Sequence, residues 1–204
     1  MIKIFFSKQN LMLLVGILLT ITSINAAKTL KINSKKSTMT IFGTTNVHDW
    51  KSNVESLSGE MSFDLPNKIH SLYVEVPVLS IKSGEKLMDK KTYDTFNATK
   101  YPKISFNLGE VKSLQIADND INVMLSGNLT MDGVTKKITV ITKGKKIVDG
   151  VYEFQGSLSL KMTDYNMTPP TALMGVMKVG NDITIKFDLT LNELIKTDLT
   201  SIEK

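Results

Sequence analysis

The stretch from Ile121 to Met131 alternates without a break. Ile121, Val123, Leu125, Gly127, Leu129 and Met131 share one parity, while Asn122, Met124, Ser126, Asn128 and Thr130 share the other. Successive side chains of a strand point to opposite faces, so this is a strand with one face to bury and one left to water. The same period recurs along most of the chain. Leu72, Val74, Val76 and Val78 alternate from His70 to Ile81; Ile104, Phe106 and Leu108 do so from Lys103 to Val111, and Ile138 and Val140 from Thr135 to Lys143. Phe154, Gly156, Leu158, Leu160 and Met162 continue it, and Ile183, Ile185, Phe187, Leu189 and Leu191 end it after Gly180-Asn181. With Thr38 to Thr44 and His48 to Asp64 the set comes to about eight strands. Inside the last of these, Trp50, Ser52 and Val54 hold one parity and Leu57, Gly59, Met61 and Phe63 the other. Such a phase change marks a bulge or sharp bend.

Turn residues separate the strands at Pro66-Asn67, Asp118-Asn119-Asp120, Asp132-Gly133 and Asp149-Gly150. Pro77 cannot donate to a ladder, which implies a bulge or an edge position. Gly84 to Phe96 is the one long interruption. There Leu87/Met88, Thr92 and Phe96 make a weak apolar stripe at helical spacing, with Ser83 as candidate N-cap. Tyr101-Pro102 then returns the chain to extended geometry. We expect this helix to lie across one end of whatever the strands enclose.

Long strands with one apolar face suit an antiparallel sheet. An open sheet of eight would leave that face wet and its edges unpaired. Closure into a barrel removes both problems, and a two-sheet sandwich is the rival. The predicted fold is all-β: an eight-stranded antiparallel barrel with one short helix inserted between two strands.

Residues 1–26 read as a signal peptide. Lys3 and Lys8 give a basic start, Leu11 to Ile24 an apolar core, and Asn25-Ala26-Ala27 a small-residue cleavage region. The apolar core is short for a membrane span, so no stable membrane insertion is expected. The expected location is periplasmic or secreted, with the barrel occupying 27–195 and a polar tail 196–204. Cleavage after Ala26 leaves 23 lysines against 20 acids, a net charge of +3. Every basic residue is Lys, so no guanidinium fork is available to read bases or clamp phosphate, and nucleic-acid binding is not expected. The absence of Cys excludes disulfides, thiolate metal sites and cysteine nucleophiles.

The inward face is where function is written. An eight-stranded interior is either filled by side chains or holds one small ligand. The expected lining is Trp50, Val74, Val76, Ile104, Phe106, Val123, Leu125, Gly127, Leu129, Phe154, Gly156, Leu158, Leu160, Ile185, Phe187 and Leu189. Gly127, Gly156 and Gly59 remove side-chain volume in mid-strand, either to relieve strain at a bend or to leave room for an apolar guest. Trp50 is either a core plug with its indole nitrogen bonded to backbone or a wall of the tunnel mouth. Met167, Met174 and Met177 make the connection from Asp164 to Val179 rich in adaptable thioethers. Catalytic residues are expected to be none: there is no nucleophile elbow or phosphate loop, and Asp89, Asp94 and Asp164 sit in connections, where carboxylates are solvated. His48 and His70 stand on different strands, so the metal expectation is also none.

Lys100-Tyr101-Pro102-Lys103-Ile104-Ser105-Phe106 and Leu125-Ser126-Gly127-Asn128-Leu129-Thr130-Met131-Asp132-Gly133-Val134-Thr135-Lys136 resemble the YceI-like, polyisoprenoid-binding family. His48-x-Trp50, Gly59 and Ser80 to Gly84 match more weakly, and the resemblance runs from about Ser37 to Asn192. It implies a lipocalin-like barrel with a long apolar tunnel for an isoprenoid, quinone-like or other lipid tail, and no further cofactor. The family's Arg-Asp-x-His-Leu pattern in the helical insertion is replaced here by Met88-Asp89-Lys90-Lys91-Thr92, which keeps the acid alone. Lys90 or Lys91 is the residue that could stand in for the missing charge. The expected function is carriage or storage of such a lipid without catalysis. The alternative is an exported protein-interaction module with a solid barrel, and a homodimer is left open.

Overall fold

The computed structural model describes residues 27–64 and 68–194. The predicted signal peptide, the Pro66-Asn67 turn and the tail from Lys196 lie outside the described residues. In chain order the elements are β1 (Lys28–Ile32), β2 (Thr38–Thr45), β3 (Asp49–Val54), β4 (Ser58–Asp64), β5 (Lys68–Pro77) and β6 (Ile81–Lys82). They continue with α1 (Lys86–Thr95), β7 (Lys103–Ala117), β8 (Asp120–Met131) and β9 (Val134–Val148). β10 (Val151–Lys161), β11 (Thr171–Ala172) and β12 (Met177–Glu193) complete the set.

Every pairing is antiparallel, and the ring runs β1-β4-β5-β7-β8-β9-β10-β12 before β12 returns to β1. This is a closed eight-stranded barrel, as the alternation predicts, and it has the lipocalin-like form that the resemblance implies. Three of the eight staves are broken in two. β12 carries β1 opposite Leu191–Glu193 and β2 opposite Val179–Asp188, so β1 and β2 form one interrupted stave. β4 and β3 make the next, and β5 and β6 the third. The phase change read between Val54 and Leu57 is the break in the second stave.

The three breaks lie side by side, and small hydroxyls bridge them. Ser37 Oγ donates to Asn33 O (2.8 Å) and accepts from Thr190 N (3.0 Å). Ser80 Oγ donates to Ser56 O (2.9 Å) and Pro77 O (2.7 Å), while Glu55 N bonds Ser80 O. Breaking the ladder leaves buried backbone groups that need partners, and serine supplies them without bulk. The bend lets a long sheet wrap tightly enough to close. Pro77 is neither bulge nor edge: it pairs with Lys103 and ends β5 where a 3₁₀ turn, Val78–Ser80, begins.

Several strands outrun their predicted limits: β7 extends to Ala117, β9 to Val148, and β12 begins at Met177. In β7 two register shifts, between Leu108 and Glu110 and between Val111 and Ser113, interrupt the alternation that Leu114 and Ile116 resume. One end of the barrel is closed. Leu30, fully buried, and Ile121 pack there around Phe63 and Tyr152, whose rings meet edge-on at 5.7 Å and 76°.

Candidate ligand-binding site

Above that plug, inward side chains of nearly every stave surround an apolar chamber of about 140 Å³. Among the described residues its one polar lining residue is Thr142. Val74, Val76, Ile104, Phe106, Val123, Leu125, Leu129, Phe154, Leu158, Ile185, Phe187 and Leu189 line it as the alternation predicts. The reading omits Ile32, Met39, Met61, Ile69, Leu72, Ile138, Val140 and Leu191, which share the same wall. Most carry the inward parity of their strands; Ile32 lies in β1, too short to register as a periodic run.

A second chamber of about 280 Å³ lies nearer the other end of the barrel. Consecutive inward positions of the same strands connect the two: Met39 and Ile185 line the lower, Ile41 and Ile183 the upper. Trp50, Ser52 and Ile81 complete its inner wall. α1 supplies Leu87, Met88, Lys91 and Thr92, and the 162–177 connection supplies Met162, Met167, Leu173 and Met177. The single hollow expected from the pattern is therefore two stacked chambers. Leu160 lines neither; it packs against the hydrophobic core.

Gly127 and Gly156 do not leave room for a guest. A Cβ on Gly127 would stand 2.5 Å from Phe106 Cζ, and one on Gly156 2.5 Å from Phe187 Cζ. Phe154 covers Gly144 and Trp50 covers Gly43 in the same way. In three of these four cases ring and glycine are direct cross-strand partners; Phe106 reaches Gly127 diagonally. A ring lying on a bare strand shields its backbone and recovers contact area lost with the side chain. Gly59 is covered likewise by Ile32 and Tyr73 O.

Trp50 fills both of its alternatives. Its Nε1 donates to Thr44 O (3.1 Å), pinning the ring over Gly43, and another part of the ring faces the upper chamber. The two strongest sequence motifs also meet in space. Tyr101 lies over Gly133, whose φ of +73° closes the Asp132-Gly133 hairpin, as Phe106 lies over Gly127. Their shared work is to hold β7 against β8.

α1 has no buried residue of its own. Its N-cap is Glu85, not Ser83, and Glu85 makes no side-chain cap. Ser83 acts from two residues earlier: its N and Oγ donate to Asp89 Oδ1 at 2.7 and 2.6 Å. Tyr93 Oη donates to Leu79 O and Ile81 O, fixing the helix to β6. Lys90 is paired with Asp94 at 2.6 Å on the outer face, so Lys91 is the helix cation that lines the chamber. His48 lines the same chamber, whereas His70 pairs with Asp64 at 2.6 Å near the closed end.

Partial burial opposes ionisation of Asp89, but the two bonds from Ser83 hold its carboxyl below the ordinary range. A carboxyl depressed by folding contributes stability that is present above about pH 4 and lost as pH falls through its folded pKa. The group is largely solvated, so the effect is below about 1 kcal/mol. Thermal melts from pH 7 to pH 3 are expected to show a smaller acid-induced fall in Asp89→Asn than in the native chain. Parallel curves would remove this contact from the stability of the helix.

β9 and β10 pair only from Val151 to Gly156, the last pair being Gly156 with Thr142. Above it they diverge, and a 3₁₀ turn, Met162–Tyr165, packs against both. Tyr165 is buried there, and burial pushes its hydroxyl up to about 12, so it stays neutral. Among the described residues no group of three or more His, Cys, Asp or Glu is arranged to hold a metal ion, and no helix is long and apolar enough to cross a membrane.

A model of the YceI-like domain matches residues 30–191. The chain belongs to the YceI-like family. A UPF0312 protein of Pseudomonas aeruginosa is 31% identical to this YceI-like chain over 119 residues, 53% of this chain; the chain spans 59% of that relative. Among solved structures, BcnA of Burkholderia cenocepacia superposes with a TM-score of 0.63 at 22% identity, covering 78% of this chain and 98% of that one. A polyisoprenoid binding domain from Saccharophagus degradans, implicated in plant cell wall breakdown, gives 0.64 at 15% identity, with 81% and 98% covered. The YceI protein of Campylobacter jejuni gives 0.58 at 21%, with 71% and 85% covered. At these identities the superpositions establish a shared fold.

Proposed function

We propose that this YceI-like protein is an exported carrier or store for an isoprenoid or similar long-chain lipid with a neutral head group, and that it performs no chemistry. The observation that supports this most is the lower chamber, apolar but for Thr142 and continued upward by a second chamber under α1. The polyisoprenoid binding domain on the same fold points the same way. A cavity of about 150 Å³ takes up a benzene-sized molecule. A tail of several prenyl units therefore has to occupy both chambers and displace flexible lining such as Met39 and Met61. Burying about eight methylenes at about 0.8 kcal/mol each gives roughly 6 kcal/mol before ordering costs, which reaches micromolar binding without a charged contact.

The neutral head follows from the charges around the upper chamber. Lys91 shares it with Glu85, and Lys90 is engaged by Asp94. One lysine and one histidine beside one glutamate leave a diphosphate largely uncompensated. A solid interaction module, the other reading, fits poorly with two chambers in the barrel.

Native mass spectrometry of the purified protein with geranylgeraniol tests the proposal. A one-to-one complex is expected, with geranylgeranyl diphosphate at least about tenfold weaker. A bare mass under both conditions, with no lipid extracted from freshly purified protein, would overturn it. The same spectrum reports export processing: a mature mass beginning at Ala27 is expected, and an intact Met1 chain would contradict it.

A further inference from the structure

The open end of the barrel carries apolar side chains that nothing in the fold requires there. Leu173-Met174-Gly175 is a run of three residues with φ between +51° and +89°. Leucine and methionine occupy that region at a cost, which asparagine or glycine would avoid. The kink turns Leu173 toward the upper chamber and leaves Met174 fully exposed, with Val176 69% exposed beside it. The neighbouring turn presents Val47, 64% exposed. Asn46 clasps the two segments: its N donates to Lys178 O (3.1 Å), its Nδ2 to Val176 O (3.0 Å), and its Oδ1 accepts from Lys178 N (2.8 Å). Across the mouth, Leu87 on α1 is exposed at its outer side and lines the chamber. Apolar tips on three segments thus stand around the opening, and Leu87 and Leu173 carry apolar surface from solvent into the upper chamber.

We propose that this rim docks the protein on a lipid bilayer, from which the barrel loads and to which it returns its guest. The inference rests on the proposed lipid-carrier function, because a long prenyl chain is too insoluble to reach the chamber through water. Isolated apolar tips on three segments around an opening can sink into the interfacial layer of a bilayer, whereas a protein partner would need a matched pocket for each. At the opening itself the two ionised lining side chains, Lys91 and Glu85, offset one another, so it presents no net charge to a partner. Docking is therefore driven by apolar insertion and is insensitive to salt.

Flotation with phosphatidylcholine vesicles, at 0.1 M and 0.5 M salt, tests it. The variant Val47→Ser/Met174→Asn/Val176→Ser alters side chains that line neither chamber, and asparagine suits the φ of +53° at 174. The native protein is expected to float equally at both salts, and the variant about tenfold less or weaker still. Both carry the same N-terminus, so the difference belongs to the rim. Failure of the native protein to float, equal flotation of the variant, or loss at high salt would overturn the proposal. Uptake of geranylgeraniol dispersed in detergent, measured in parallel, is expected to be unchanged in the variant. If neither protein takes it up, the carrier function fails whatever the vesicles show. If uptake holds and flotation does not, the rim contacts something other than lipid and docking is rejected.

Discussion

Leu158→Trp is expected to lower affinity for geranylgeraniol about a hundredfold while the barrel still folds. Leu158 is half-buried, lines the lower chamber and pairs with Ile185 on β12. It lies on the part of β10 that β9 has left, so a larger side chain meets less backbone there than elsewhere in the wall. An indole would take up much of a 140 Å³ space. Excluding about four methylenes of tail at about 0.8 kcal/mol each removes roughly 3 kcal/mol of binding. Over-packing itself costs about 1–3 kcal/mol of stability, which denaturant melts will register separately. Ile185→Phe, the cross-strand neighbour, fills the same space with a smaller increment. Leu160→Trp is the control, since Leu160 lines neither chamber. If the lining variants bind normally, or Leu160→Trp loses as much affinity as Leu158→Trp, the guest does not occupy the lower chamber.

The largest loss of stability is expected at Gly127→Val, at about 3 kcal/mol or more. Its new Cβ would overlap the Asn107 carbonyl oxygen and stand 2.5 Å from Phe106 Cζ. A flexible side chain could move aside, but a ladder carbonyl cannot without breaking the β7–β8 pairing. Phe106→Ala is expected to cost a similar amount for the opposite reason, by uncovering Gly127 and opening a cavity. Combining Gly127→Ala with Phe106→Leu should recover part of the sum, because the two residues compete for one volume. Urea melts of these variants, with Gly127→Ala and Phe106→Leu also measured singly, test this. If Gly127→Val melts with the native chain, the ring does not cover the glycine in solution and the space is free after all.

Much of this architecture is legible in the primary structure. Period-two alternation over strands such as Ile121–Met131 is enforced by the pleat, so a strand buried on one face must display it. The helical insertion stands out for the complementary reason, because Gly84 to Phe96 breaks that period. Most of the wall of the lower chamber follows from the same parity. Ser83 illustrates the limit: a residue suited to capping precedes the helix, but its hydroxyl is committed to Asp89. The glycines illustrate another. Which side chain fills the volume above Gly127 depends on the register of β7 against β8, and alternation within one strand carries no register information.

Local sequence determined that there would be about eight strands, which face of each is apolar, and where one helix interrupts them, because these follow from steric periods of two and 3.6 residues. Tertiary structure alone decided that three staves break along one serine-bridged seam, that neighbouring side chains, mostly aromatic rings, rather than a guest cover the glycines, and that the interior divides into two chambers beneath an apolar rim. Those features arise between strands distant in sequence. They are set by closure of the sheet on itself and by close packing, to which no single segment of chain holds the key.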